Sequence, residues 1–87
     1  MPAAYVYLLR CHDGSLYCGW TSDLDRRVGA HRAGRASRYT ASRLPVELVL
    51  AEPMEDRSAA RREEARIKRL TRAEKLALVA AASAPPA

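Results

Sequence analysis

Tyrosine and aliphatic residues alternate along the first part of the chain. This period-two pattern over residues 4–11 is typical of a β-strand on a pleated surface. Asp13 and Gly14 follow, and the glycine supplies the positive φ that a tight hairpin turn requires. Residues 16–20 are therefore expected to pair antiparallel with the first strand.

A helical spacing follows the hairpin. Leu24, Val28 and His31 are spaced by four and then three residues, so they would lie on one face of a helix. Ser22 followed by Asp25 is a capping signature, and Gly34 is typical of a helix end. We predict a helix from residue 23 to about residue 33. The basic segment 35–44 has no period, which predicts a loop.

The second half of the chain predicts a third strand and two helices. The strand covers the apolar run of residues 46–51, which begins after Pro45 and is closed by Pro53. Asp56 or Ser58 can cap the next helix. The last helix restarts at a capping box formed by Thr71 and Glu74.

These elements predict an α/β domain of the α+β type, in which helices flank a three-stranded antiparallel sheet. At 87 residues the chain has room for a single core. The domain is expected to span residues 1–81. Residues 82–87 are expected to form a disordered C-terminal tail, because they offer nothing to pack.

Composition narrows the class of protein. The chain is 48% hydrophobic and 29% charged, which is typical of a folded globular protein. It has neither an apolar run of roughly 18 residues nor a secretory signal, so no membrane association and a cytoplasmic location are expected. Cys11 and Cys18 lack the spacing of a zinc site. We expect them to be reduced thiols, with a disulfide between the facing hairpin strands as the alternative.

The basic charge is concentrated in two segments. Fifteen Lys and Arg against ten Asp and Glu give a net charge of +5. Residues 22–43 carry +4 and residues 57–75 carry +5, whereas residues 44–56 between them carry −4. Two basic blocks around an acidic strand predict a polyanionic partner, with nucleic acid as the leading candidate.

Three placements of polar side chains suggest chemistry. Tyr7 and Tyr17 lie on the two hairpin strands and can approach each other across the sheet. Arg27 and His31 are four residues apart and project from one helix face, and Glu64 lies on an apolar helical stripe. A carboxylate for a divalent cation, an arginine for phosphate and a proton acceptor for water are the groups that phosphodiester hydrolysis needs.

The same residues form a pattern that resembles the GIY-YIG nuclease domain. Its two motifs match Tyr5-Val6-Tyr7 and Tyr17-Cys18-Gly19. Further matching positions are Trp20-Thr21, Leu24, Arg27, His31, Thr40, Pro45-Val46-Glu47-Leu48, Ala60, Glu64, Ile67 and Lys68. The match spans residues 4 to about 79 and is most similar to the small standalone bacterial members of the family.

The chain departs from the family pattern at three points. Tyr5 stands in place of the first-motif glycine, and Cys18 in place of the second-motif isoleucine. Both substitutions are expected to be structural. The chain also lacks asparagine, although several family nucleases place one near the metal site. We therefore expect that its rate or substrate geometry can differ from theirs.

The resemblance implies a role for each candidate residue. Glu64 would be the single protein ligand of Mg²⁺ or Mn²⁺, and Arg27 would contact the scissile phosphate. Tyr7, Tyr17 and His31 would surround the attacking water, with either tyrosine as the general base; we favour Tyr7. A tyrosine with its ordinary pKa of about 10 is a poor base, so the metal and Arg27 must favour its phenolate or its proton must pass to His31.

The implied function is metal-dependent endonuclease cleavage of DNA. Structured or branched DNA is favoured because so small a domain has little surface for sequence recognition. Basic residues expected to contact the DNA backbone are Arg35, Arg38, Arg43, Arg61 and Lys68, with Tyr39, Arg57 and Arg62 nearby. One alternative is a nucleic-acid-binding module with little or no nuclease activity that acts with a partner protein. A second is an interaction domain for an acidic protein.

Each candidate residue also has an ordinary structural interpretation. Hairpin tyrosines commonly pack across strands, and a histidine near a helix C-terminus interacts favourably with the helix dipole. Glu64 can form an ion pair with Lys68 one turn later. Trp20 can stack on a base, although packing beside the hairpin is the simpler interpretation.

Overall fold

Three antiparallel strands form the sheet in the computed structural model, which describes residues 2–83. They are β1 (Ala4–Arg10), β2 (Leu16–Thr21) and β3 (Glu47–Met54), in the order β2-β1-β3. The predicted three-stranded antiparallel sheet is therefore confirmed, with β1 at its centre. The hairpin turn has Gly14 at φ +85°, as the sequence predicts.

Four helices accompany the sheet: α1 (Leu24–Arg32), α2 (Arg38–Ala41), α3 (Arg57–Lys68) and α4 (Arg72–Ser83). Helix α1 lies where the spacing predicts it, but its N-cap is Asp23 and not Ser22. The Asp23 carboxylate accepts a hydrogen bond from the Arg26 backbone N–H at 3.2 Å. Gly34 follows the helix with φ +76°, in agreement with its predicted role at the end.

Asp56, and not Ser58, caps α3, since its carboxylate accepts the Ala59 N–H at 2.7 Å. The capping box of α4 is confirmed in both directions. Thr71 N–H donates to the Glu74 carboxylate at 2.9 Å, and Glu74 N–H donates to the Thr71 hydroxyl at 3.1 Å.

The structure differs from the predicted elements at three places: it has one additional helix, a longer third strand and a longer last helix. The segment expected to be a loop contains α2, which begins where the Ser37 hydroxyl accepts the Thr40 N–H. Strand β3 continues through Pro53, because an edge strand has no second partner that needs the missing N–H. Helix α4 includes residues 82 and 83, the first two of the expected tail; residues 84–87 lie outside the described part of the chain.

The two faces of β1 pack against different groups. Ala4, Val6 and Leu8 are buried in an apolar cluster with Cys18 on β2 and with Ala60 and Ile67 on α3. Tyr7 and Leu9 project to the opposite face, where Leu24 of α1 packs. The period-two pattern of β1 thus separates an apolar core from the face that carries Tyr7.

Both cysteines are free and buried, and burial raises the pKa of the Cys18 thiol to about 11. This agrees with the expectation of reduced thiols. None of the helices described is long and apolar enough to cross a membrane.

Candidate active site

Tyr7 and His31 form the buried centre of the candidate site. The Tyr7 hydroxyl lies 2.8 Å from His31 Nε2, within hydrogen-bond distance. Tyr7 is completely buried and only 1% of His31 is exposed. Strand β1 and helix α1 thus bring together two of the five predicted catalytic residues, which are 24 positions apart in the chain.

A second hydrogen bond fixes the other side of the imidazole. His31 Nδ1 lies 2.9 Å from the Thr40 hydroxyl, and that hydroxyl lies 2.9 Å from the Ser37 hydroxyl. Thr40 is completely buried. A continuous hydrogen-bonded chain therefore runs from β1 through α1 to α2.

Tyr17 also borders His31. The two ring centroids are 5.2 Å apart in an edge arrangement. Tyr17 pairs with Leu9 and Tyr7 pairs with Gly19, so the two tyrosines are diagonal neighbours on one face of the hairpin. The predicted approach of the two tyrosines across the sheet therefore takes this diagonal form.

Tyr17 also stacks on the exposed Tyr39 of α2. Its ring stacks on Tyr39 with a centroid distance of 5.9 Å, and the Arg43 guanidinium lies 3.8 Å from the centroid of the Tyr39 ring. Arg43 also donates to the Asp13 carboxylate at 3.0 Å. The stack is thereby attached to the hairpin turn.

The pKa values of Tyr7 and His31 both differ from the ordinary values of these side chains. Burial raises the pKa of Tyr7 to about 12; the Arg27 guanidinium opposes this rise, and the proximity of Tyr17 and Glu64 adds to it. Burial, and then the positive charge of Arg27, lowers the pKa of His31. At neutral pH the site therefore contains a protonated tyrosine next to a neutral imidazole.

Arg27 is exposed on α1 and lines a polar cleft. Trp20 and Arg57 are also in the lining, together with Thr21 and Ser22. Trp20 packs partly against the apolar core, which agrees with the simpler interpretation of this residue. The Arg27 side chain is therefore open to solvent through this cleft.

Glu64 is the only candidate metal ligand among the predicted catalytic residues. Its side chain is 21% exposed and forms an ion pair with Lys68 at 3.6 Å, the pairing that their spacing allows. Residues 2–83 contain no cluster of three or more His, Cys, Asp or Glu side chains that could hold a metal. One carboxylate fits Mg²⁺ bound mainly through water and substrate phosphates, and does not fit a closed protein cage.

The residues predicted to bind DNA fall into two groups. Arg35, Arg38 and Arg61 are exposed. In contrast, Arg43 is held by Asp13 and Tyr39, and Lys68 by Glu64. Their DNA contacts remain predictions, but the second group already has partners within the protein.

The partners of His31 and Tyr17 on α2 were missed by the sequence analysis. Thr40 entered it only as a matching position, and Tyr39 only as a neighbour of basic residues. A serine three residues before a threonine is a weak signal of a short capped turn, and Ser37 does cap α2 in this way.

The chain matches a known protein family over most of its length. The model of the family described as the GIY-YIG catalytic domain matches residues 3–77. The chain belongs to this family, which confirms the resemblance seen in its motifs. A GIY-YIG domain is characteristic of endonucleases and implies a nuclease-type function and a nucleic-acid substrate.

Within the family, the chain is similar to proteins called UPF0213. It is 47% identical over 79 residues to UPF0213 protein CPE1444 of Clostridium perfringens, covering 91% of this chain and 85% of that protein. It is 50% identical over 76 residues to UPF0213 protein NP_0776A of Natronomonas pharaonis, covering 87% and 89%.

A solved structure shares the fold. The solution NMR structure of UPF0213 protein BH0048 from Bacillus halodurans is 40% identical and has a TM-score of 0.62. The similarity covers 94% of this chain and 87% of that one.

Proposed function

We propose that this protein is a metal-dependent endonuclease that hydrolyses phosphodiester bonds in DNA, with structured or branched DNA as its substrate. The observation that carries the proposal is the buried Tyr7–His31 hydrogen bond of 2.8 Å. It joins a hydroxyl that can accept a proton from water to an imidazole that can receive the hydroxyl's own proton.

The pKa values favour a relay over a stable phenolate. A pKa of about 12 keeps Tyr7 protonated at neutral pH, while His31 is neutral and can accept a proton. Tyr7 is buried in the free protein, so the proposed step requires the bound substrate and metal to bring the attacking water to its hydroxyl. That water transfers a proton to the Tyr7 oxygen as the Tyr7 proton moves to His31 Nε2. The resulting hydroxide forms a bond to phosphorus, and the bond from phosphorus to the leaving oxygen breaks. The leaving oxygen takes the electron pair and is protonated by solvent, and His31 returns its extra proton to solvent after the step.

Arg27 and Glu64 complete the proposed site. Arg27 would donate to the non-bridging phosphate oxygens, where negative charge accumulates as the water attacks. Glu64 would hold Mg²⁺ or Mn²⁺, which supplies neutralisation of phosphate charge when bound. Lys68 would release Glu64 for this role, because a single ion pair one helical turn apart, with its lysine exposed, is weak.

The size of the described domain supports recognition by shape. Its longest dimension is 33 Å, which spans only about one turn of duplex DNA. Exposed arginines such as Arg35, Arg38 and Arg61 can contact phosphates without reading bases. A substrate with a bend, flap or junction offers phosphates from more than one helical arm to such a surface.

The decisive experiment is cleavage of labelled duplex, nicked, flap and four-way DNA with Mg²⁺, with Mn²⁺ and with EDTA. Wild-type protein is expected to cleave at least one structured substrate in a metal-dependent way, and Glu64→Gln is expected to lose that cleavage. Glu63→Gln is the matched control, because Glu63 is the adjacent carboxylate and pairs with Arg66. Cleavage that persists in Glu64→Gln would contradict the metal assignment.

The second candidate is a nucleic-acid-binding module without intrinsic cleavage. The Lys68 ammonium near Glu64 favours it, because a lysine there already neutralises the carboxylate that is proposed to hold the metal. Salt-sensitive DNA binding without cleavage of any of the four substrates would support this module and would contradict the endonuclease.

A further inference from the structure

We infer that Thr40 is a positioning residue that fixes the tautomer of His31, so that Nε2 remains free to accept the Tyr7 proton. Its catalytic consequence rests on the proposed endonuclease function. The tautomer itself is a property of the folded protein and can be measured without any substrate.

The hydrogen atoms of the buried chain can be arranged in two ways. In the first, His31 Nδ1–H donates to the Thr40 hydroxyl, and Thr40 donates onward to Ser37. Two acceptors are available there, the Ser37 hydroxyl at 2.9 Å and the Ser37 carbonyl oxygen at 3.4 Å. The unprotonated Nε2 then accepts the Tyr7 O–H.

The reverse arrangement leaves one hydrogen atom without a partner. If Thr40 donates to Nδ1, the proton of the neutral imidazole is on Nε2, which must donate to the Tyr7 oxygen. The Tyr7 O–H then needs another acceptor. Within residues 2–83, His31 is the acceptor that lies at hydrogen-bond distance from this hydroxyl, and neighbouring Arg27 has only donors.

Burial makes this difference decisive. Tyr7 and Thr40 are fully buried and His31 is 1% exposed, so an unpaired O–H would lose its bond to water without replacement. The first arrangement satisfies every donor in the chain. It therefore fixes the Nδ1–H tautomer of His31.

The backbone around Thr40 holds its hydroxyl in this position. Ser37 caps α2 by accepting the Thr40 N–H at 3.1 Å, and it is also the acceptor for the Thr40 side chain. Thr40 is thus tied to the start of α2 at two atoms while its hydroxyl faces His31. Thr40 acts on the chemistry through this contact, since it touches the imidazole and not the proposed substrate.

The tautomer is measured by ¹⁵N NMR on labelled protein, because protonated and unprotonated ring nitrogens have well-separated shifts. The wild type is expected to have a protonated Nδ1 and a bare Nε2 on His31, with exposed His12 as the internal reference. Thr40→Val keeps the shape but removes the hydroxyl, and it is expected to populate the Nε2–H form. Thr40→Ser restores the hydroxyl and is expected to restore the wild-type tautomer.

Cleavage assays then test the consequence. Thr40→Val is expected to lower the cleavage rate about 10- to 100-fold, as the loss of a residue that orients a histidine commonly does. Thr40→Ser is expected to recover most of that rate. Should Thr40→Val fail to fold, Thr40→Ala removes the same hydroxyl without placing a methyl group against the imidazole.

Each outcome decides the inference. A wild-type His31 protonated on Nε2 overturns the tautomer assignment, and a Thr40→Val spectrum identical to wild type overturns the role of Thr40. The expected tautomers in a protein that cleaves no DNA would uphold the positioning role while the endonuclease proposal fails.

Discussion

Gly19 pairs directly with Tyr7 in the register of β1 and β2, and the Tyr7 ring lies where a side chain on Gly19 would stand. A Cβ at this position would overlap with the end of the ring that carries the hydroxyl. The second motif thus contributes a glycine because the proposed proton acceptor occupies the space above it.

Replacing Gly19 by alanine is expected to displace Tyr7 and break its bond to His31. We expect loss of cleavage. We also expect a decrease of about 1–3 kcal/mol in the free energy of unfolding, because the added methyl group overpacks the core around Tyr7. Urea unfolding and cleavage rates measure both effects.

Gly29→Ala is the control for this substitution. A Cβ on Gly29 meets nothing within 4 Å, and alanine favours a helix interior. This variant is expected to be as stable as wild type or up to about 1 kcal/mol more stable. Equal losses in both variants would contradict the proposed contact.

Removing the two candidate hydroxyl groups separates their roles. Tyr7→Phe is expected to lower the cleavage rate by about 10²- to 10⁴-fold, the range that a proton-transfer group contributes. Tyr17→Phe keeps the stack on Tyr39 and is expected to lose much less. Single-turnover cleavage rates give the comparison, and Tyr5→Phe on the same strand is the control. A larger loss in Tyr17→Phe would assign the general base to Tyr17.

Arg38 and Arg43 are expected to differ although both are basic residues of the same segment. Arg38 is exposed, so Arg38→Ala is expected to weaken DNA binding and reduce the salt dependence of log K by about one unit. Arg43 is held by Asp13 and Tyr39, so Arg43→Ala is expected to lower Tm more than it changes that salt slope. Salt titrations and thermal unfolding test the pair, and the opposite ranking would contradict it.

Stability is expected to fall as pH decreases below about 6.5, in part through His31. Its pKa is lower in the folded protein than its ordinary value of 6.5, so the unfolded chain binds the proton first. The contribution is fully present above about pH 6.5 and is lost as pH falls through the folded pKa, with a slope of up to about 1.4 kcal/mol per pH unit. Urea unfolding between about pH 8 and pH 5 measures it.

Two histidine variants identify the group responsible for this decrease. His31→Gln is expected to flatten the pH dependence, whereas His12→Gln, at an exposed position, is expected to leave it unchanged. A pH dependence that stays the same in His31→Gln would assign the decrease to the carboxyl groups.

Local sequence signals predicted the strands and long helices because each signal acts over a few residues. The alternation in β1, the glycine of the hairpin turn and the capping box at Thr71 and Glu74 all correspond to observed bonds or dihedral angles. The motif spacing also identified both Tyr7 and His31 as candidate catalytic residues.

The supporting contacts could not be predicted because they depend on long-range geometry. Helix α2 has four residues, too few for a helical period, and its buried Thr40 is held by a bond to His31. Arg43 reaches Asp13 across 30 positions of sequence. The continuation of β3 through Pro53 became clear only once the strand order made β3 an edge.

The separation of the two faces of β1 also constrains how the chain can misfold. A shift of β1 by one residue would turn Tyr7 toward α3 and place Val6 or Leu8 against His31. The apolar core and the Tyr7–His31 hydrogen bond would be lost together. Misregistered molecules are therefore expected to be unstable and to lack the buried Tyr7–His31 pair on which the proposed cleavage depends.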